Sequence, residues 1–120
     1  MITGTVSREG DPVVTIAVCG RDWPAIIDTG FNGDLQLPED CRSSLPAKYA
    51  GRVSWLLANK QRIEEDTYLV RLRFDGELVP AMANFAPASE LLIGTHFLRK
   101  HRLTIDFAAR TVRLKRAKPS

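Results

Sequence analysis

Short, β-branched apolar segments are separated by turn residues roughly every 8–12 positions. That rhythm restricts the chain to a mostly β architecture, closed or sandwich-like. Thr3–Ser7 is followed by the turn residues Arg8-Glu9-Gly10-Asp11-Pro12, and Val13–Cys19 reads V-V-T-I-A-V-C. Gly20-Arg21-Asp22 makes a tight connection into Trp23–Ile27, and Leu35 and Leu37 alternate about Gln36 before Pro38. Pro38–Leu45 can hold one helical turn, because proline is tolerated at a helix start. Val53–Leu57 and Arg62–Asp66 flank a turn at Ala58-Asn59-Lys60-Gln61. The second arm is poor in apolar residues, so this hairpin is expected to project from the body. Thr67–Phe74 and Leu78–Phe85 flank Asp75-Gly76, a strong hairpin turn. Leu91-Leu92-Ile93 is a short, fully apolar strand stopping at Gly94. Thr95–His101 is the one good helix candidate, with Thr95 as its cap and Phe97 and Leu98 facing the core. Leu103–Phe107 and Thr111–Leu114 close the chain as a hairpin.

With 120 residues, the chain predicts one domain, 1–115, and a basic, disordered tail, 116–120. It is too short for two lobes that each carry a core. Hydrophobic residues make up 44% and charged residues 26%, ordinary for a soluble globular protein. No apolar run approaches the ~20 residues that cross a bilayer. The N-terminus shows no secretory signal, so a cytoplasmic setting without membrane association is expected. Cys19 and Cys41 share no metal-like spacing; in that setting they are expected to stay thiols, Cys19 as a small buried hydrophobe. The net charge of +3 is concentrated at Arg110, Arg113, Lys115, Arg116 and Lys118. A basic end can attract nucleic acid. The chain lacks the interleaved exposed aromatics on which single strands stack, so nucleic acid is not the expected partner. His96 and His101 are five apart, off one helical face, with no acidic trio nearby, so no metal site is expected.

The candidate for chemistry is Asp28. It follows Ala25-Ile26-Ile27, so it stands where a buried strand ends, and carboxylates are rarely buried without a partner or a task. Thr29 places a hydroxyl beside it, and Gly30 lets the backbone turn sharply. As a plain turn, Asp-Thr-Gly is equally good chemistry, since aspartate can bond its own backbone two residues on. The bare triplet is weak. Its context is stronger: an apolar run before it, the short Leu35-x-Leu37 strand after it, and a second apolar run, Leu91-Leu92-Ile93, delivering the chain to Gly94.

Together, Ala25-Ile26-Ile27-Asp28-Thr29-Gly30, the stretch Phe31-Asn32-Gly33-x-Leu35-x-Leu37-Pro38 and Leu91-Leu92-Ile93-Gly94 resemble the retropepsin-like aspartic proteases. These are single-lobe relatives of pepsin, and the likeness is to their small bacterial and archaeal members. It spans roughly residues 3 to 115. It implies a closed, barrel-like β lobe with one short helix in its C-terminal half and a flap hairpin. It also implies a homodimeric endopeptidase acting on peptide or protein without a cofactor. Asp28 would be catalytic, its partner the Asp28 of a second chain. Thr29 would bond across the two-fold axis, and Gly30 would leave room for substrate backbone. Trp55, Leu57, Ala58 and Asn59 would belong to the flap and groove. Leu92, Ile93 and Gly94 would form the structural apolar-glycine motif. One departure stands out: the residue after the family's Asp-Thr-Gly is usually small, and here it is Phe31, which narrows or reshapes the groove. A peptide-binding module on the same fold that does not cut is therefore the second reading, and a basic nucleic-acid-binding β-barrel a distant third.

Overall fold

The computed structural model describes residues 1–87 and 90–117, and these form ten strands in one mixed sheet. In chain order they are β1 (Ile2–Val6), β2 (Pro12–Val18), β3 (Arg21–Ile27), β4 (Leu35–Pro38), β5 (Lys48–Leu56), β6 (Arg62–Phe74), β7 (Glu77–Ala86), β8 (Leu91–Ile93), β9 (His101–Asp106) and β10 (Thr111–Arg116). Their order across the sheet is β5-β6-β7-β4-β8-β3-β2-β1-β10-β9. The sheet curls so that β6 packs over β2. One apolar core fills the curl, with Leu35, Leu37, Leu91, Ile93, Val112 and Leu114 at its most enclosed points.

The alternation read in the sequence is the alternation of faces. In β2, Val14, Ile16 and Val18 point inward while Thr15 and Ala17 are exposed, as the two-residue period of a strand requires. Leu91 and Ile93 are wholly buried because β8 lies between β3 and β4, parallel to the first and antiparallel to the second. Such a central strand is paired on both edges and reads as continuously apolar, although Leu92, between Leu91 and Ile93, is only half-buried.

The expected helix over Thr95–His101 is not formed. The segment makes successive three-residue turns: Leu98 N–H bonds to Thr95 O, Arg99 N–H to His96 O and His101 N–H to Leu98 O. His101 is already the first residue of β9, paired with Arg116. Too few residues remain between Gly94 and that ladder to repay the nucleation of an α-helix. Phe97 and Leu98 are nonetheless buried. Among the described residues the one helical element is a 3-10 turn at Glu39–Cys41, within the stretch where a single turn was expected. None is long and apolar enough to cross a membrane.

The projecting hairpin is longer than the sequence indicated. β5 starts at Lys48, and β6 runs unbroken through the two segments expected as separate strands. At the other end β10 continues through Arg116, which pairs with Glu77, so the first residue assigned to the tail belongs to the sheet. Residues 118–120 lie outside those described. Cys19 occupies the β2–β3 turn with φ 58°, half-buried beside the buried Cys41; burial and that neighbouring thiol push it up to about 12, far from reactive thiolate.

His101 stacks edge-on against Phe74, with ring centroids 5.3 Å apart. Neither of its ring nitrogens has a hydrogen-bond partner among the described residues. Burial pushes its pKa below 6.5, with Arg116 acting the same way against the opposing pull of Asp75. The unfolded chain therefore binds a proton at a pH where the fold resists it, and stability falls as pH drops through 6.5 toward the folded-state value. Melting temperatures measured from pH 7.5 down to pH 5 should decline, and less steeply in His101→Gln. Equal slopes for the two proteins would contradict this assignment.

Candidate active site

The two apolar triplets of the sequence are neighbours in space. β3 and β8 run parallel with Ala25 opposite Leu91 and Ile27 opposite Ile93. The ladder extends one step further, with Asp28 N–H donating to Ile93 O at 2.9 Å. Asp28 is thus delivered by a buried strand to the surface of the lobe, where it is half-buried. Its Oδ1 accepts the Gly30 N–H at 2.9 Å, and Phe31 N–H donates to its carbonyl at 3.1 Å. The turn chemistry expected of Asp-Thr-Gly is real. It orients the carboxylate through one oxygen and leaves Oδ2 without a protein partner among the described residues. Thr29 beside it is exposed.

The loop is fastened from below by the segment after β8. Gly94 N–H donates to Asp34 O at 2.8 Å, and Thr95 N–H donates to Phe31 O at 2.8 Å. Gly94 is buried against the loop backbone, and a Cβ there would stand 2.1 Å from the Gly33 carbonyl oxygen. That close approach is the reason for a glycine at this point. Asp34 completes the fastening. Only 7% exposed, it accepts the Met82 N–H at 2.9 Å through Oδ2 and the His96 Nδ1–H at 2.6 Å through Oδ1. The β4–β7 ladder starts with Leu35 opposite Ala83, so this carboxylate supplies the acceptor for the next N–H along. Without it, a partly buried N–H would lose its partner, at a cost of about 1 kcal/mol.

Above Asp28 lies a groove of about 280 Å³ under the β5–β6 hairpin, lined by Asp28, Gly30, Phe31, Gln36, Trp55, Leu57, Ile63 and Asn84 among others. Phe31 and Trp55 meet edge to face with centroids 5.7 Å apart, joining the Asp28 loop to the hairpin. Gly33 makes this possible, since a Cβ there would lie 2.7 Å from the Phe31 ring. The hairpin tip is held by Leu57 N–H to Gln61 O at 2.8 Å and by the Asn59 side chain on Gln61 N–H at 3.0 Å. It carries exposed Leu56 and Leu57. On its other side Asp28 borders a second hollow of about 470 Å³, shared with Thr29, Ile27, Leu92, Ile105 and Phe107.

The structure therefore brings together Asp28, Gly30, Phe31, Trp55 and Leu57 around one groove, with Leu92 lining it and Gly94 supporting the loop. Ala58 and Asn59 lie in the hairpin turn, outside that lining. Ile63, Gln36, Asn84 and the buried Asp34 were missed. Asp34 had a signal in the sequence, a carboxylate set directly before the apolar Leu35-x-Leu37. Asn84 had one too, a polar residue within the apolar run of β7.

Solved structures share this fold. A retropepsin-like aspartic protease from Rickettsia conorii superposes with a TM-score of 0.61 at 18% identity, over 94% of this chain and 88% of that one. The solution structure of simian foamy virus (mac) protease gives 0.55 at 15% identity, over 72% and 91%. The foamy viral protease-reverse transcriptase, in complex with an RNA/DNA hybrid, gives 0.59 at 14% identity. That match covers 78% of this chain but only 13% of the viral one. No family model matches the sequence, and no curated protein matches it. The fold is that of the retropepsin-like aspartic proteases.

Proposed function

We propose that the chain is one half of a homodimeric aspartic endopeptidase whose active site is completed by the Asp28 of a second copy. The observation that carries this is the placement of Asp28. A carboxylate with one oxygen fixed and the other free stands at the boundary of an apolar groove and an open hollow, on the fold of this enzyme class. Two such carboxylates flanking one water cannot both ionise, because like charges that close repel; they share a proton and titrate as a pair. The ionised member accepts a proton from the water as it attacks the scissile carbonyl, while the neutral member donates toward the carbonyl oxygen. The hairpin of β5 and β6 is the flap. Trp55, Leu57 and Ile63 close over the bound peptide and keep bulk water from the reacting bond. The test is cleavage of an unfolded protein or peptide library by the purified protein. Cutting is expected to be fastest at mildly acid pH; a dimer that cuts nothing between about pH 4 and 7 sinks the endopeptidase reading.

Phe31 favours a second reading, a groove that binds peptide without cutting it, because its ring occupies space beside Asp28 and touches the flap. The two readings separate on Phe31→Ala. In an endopeptidase it weakens flap closure, raising KM several-fold for the loss of an aromatic contact worth about 1 kcal/mol. In a binding module held inactive by the ring, the same substitution creates cleavage where there was none.

A further inference from the structure

We propose that the free edge of β9 is the docking surface for the second copy, paired antiparallel with the partner's β9 about a two-fold axis at Thr104. This rests on the shared-site reading above and specifies how the two chains meet. The terminal strands β1 and β10 offer no free edge: β1 lies between β2 and β10, and β10 between β1 and β9. Both have their edges filled. β9 has β10 as its one sheet neighbour among the described residues.

The backbone fixes which groups that edge offers. Ala117 N–H bonds to Lys100 O, and the β9–β10 register continues that pair through Arg102–Lys115, Thr104–Arg113 and Asp106–Thr111. In an antiparallel ladder, hydrogen-bonded pairs alternate with non-bonded ones. The even-numbered residues of β9 therefore spend their N–H and C=O on β10, and those of Leu103 and Ile105 point outward from the sheet. A two-fold axis at Thr104 sets Leu103 opposite the partner's Ile105, and Ile105 opposite the partner's Leu103. Each such pair exchanges both N–H···O bonds, so the register satisfies the open edge.

The side chains agree. Arg102, Thr104 and Asp106 share the exposed face of β9. The Thr104-centred register puts Arg102 directly across from the partner's Asp106, and Asp106 from the partner's Arg102, as close non-bonded pairs. Registers centred on Leu103 or Ile105 set one of these charges against a threonine instead. Across β9 and β10 that face carries Arg102, Arg113 and Lys115 with Asp106 as its acid. A second copy brings each chain's carboxylate to the other's cations. Asp106 also accepts the Ala109 N–H at 3.0 Å, which holds it in place at the turn. The edge adjoins the chemistry as well: Ile105 and Phe107, the latter 64% exposed, line the same hollow as Asp28 and Thr29. A partner seated on β9 covers Phe107 beside the catalytic loop.

The test is sedimentation equilibrium on the full chain and on Arg102→Glu, Asp106→Lys and the double variant. Opposite charges across a strand pair attract and like charges repel, so each single reversal should raise the dimer dissociation constant about tenfold or more. The double variant restores complementarity and should return to near the wild-type value, which separates a broken contact from a loosened fold. Single variants that dimerise as tightly as wild type, or a double variant no tighter than the singles, would overturn the proposal; so would a wild-type protein that stays monomeric at high concentration. Sedimentation reads the edge whether or not the dimer cleaves. A charge-sensitive dimer that cuts nothing supports the edge and removes the endopeptidase; a cutting dimer indifferent to all the reversals removes the edge alone.

Discussion

Asp28→Asn is expected to leave a folded protein whose peptide cleavage is lower by about 10³-fold or more, since general acid–base catalysis contributes roughly 10²–10⁴ and the change removes both members of the pair at once. The substitution is nearly isosteric. The amide oxygen can still accept the Gly30 N–H that Oδ1 accepts at 2.9 Å, so the turn and its anchor on Ile93 are retained. What is lost is the ability to take a proton from water. A thermal melt close to wild type, together with absent cleavage, is the expected pair of results. Retained cleavage would place the chemistry elsewhere.

Gly94→Ala should have the largest effect on the fold of the site. The added methyl would lie 2.1 Å from the Gly33 carbonyl oxygen and 2.8 Å from that of Phe31. Both are backbone atoms in the Asp28 loop, so no side chain can rotate away. Relief requires the loop to lift off β8, breaking the bonds from Gly94 and Thr95 that fasten it. Overpacking of this kind costs about 3 kcal/mol or more, on the order of 10 °C in melting temperature for a chain of this size. Cleavage should fall with it, because Asp28 rides on the displaced loop. An unchanged melt would show that the loop is not seated as described.

The residues differ in how openly the sequence displayed their roles. β8 could be placed to the residue, because three consecutive apolar positions bounded by glycine have few other uses. β2 followed from its β-branched run, β4 from the alternation of Leu35 and Leu37, and β3 and β10 from apolar runs bounded by turns. The Asp28 turn was legible because its bonds are local. Asp34 was not, because its partners, Met82 and His96, are 48 and 62 positions away and meet it only where β4, β7 and β8 converge. Gly94 was visible as a glycine, but the carbonyl beneath it was not. The helix over Thr95–His101 failed because local propensity gave way to a ladder: pairing with Arg116 draws His101 into β9. The β5–β6 hairpin was underestimated at its base, where Lys48-Tyr49-Ala50-Gly51 has little strand character of its own and is held by pairing with β6 across an irregularity between Tyr49 and Gly51. Ile63 was passed over in the polar stretch Arg62–Asp66, although it stands opposite Trp55.

The central claim is that each active site takes one Asp28 from each of two chains, and a mixed dimer tests it most directly. Wild-type and Asp28→Asn chains carrying different affinity tags are co-expressed, the heterodimer is isolated through both tags, and its cleavage rate is compared with each homodimer. A shared site predicts that the heterodimer falls far below half the wild-type rate, since its single groove holds one aspartate and one asparagine. A heterodimer that keeps half the wild-type activity would mean that each chain carries a complete site of its own, and would contradict the account.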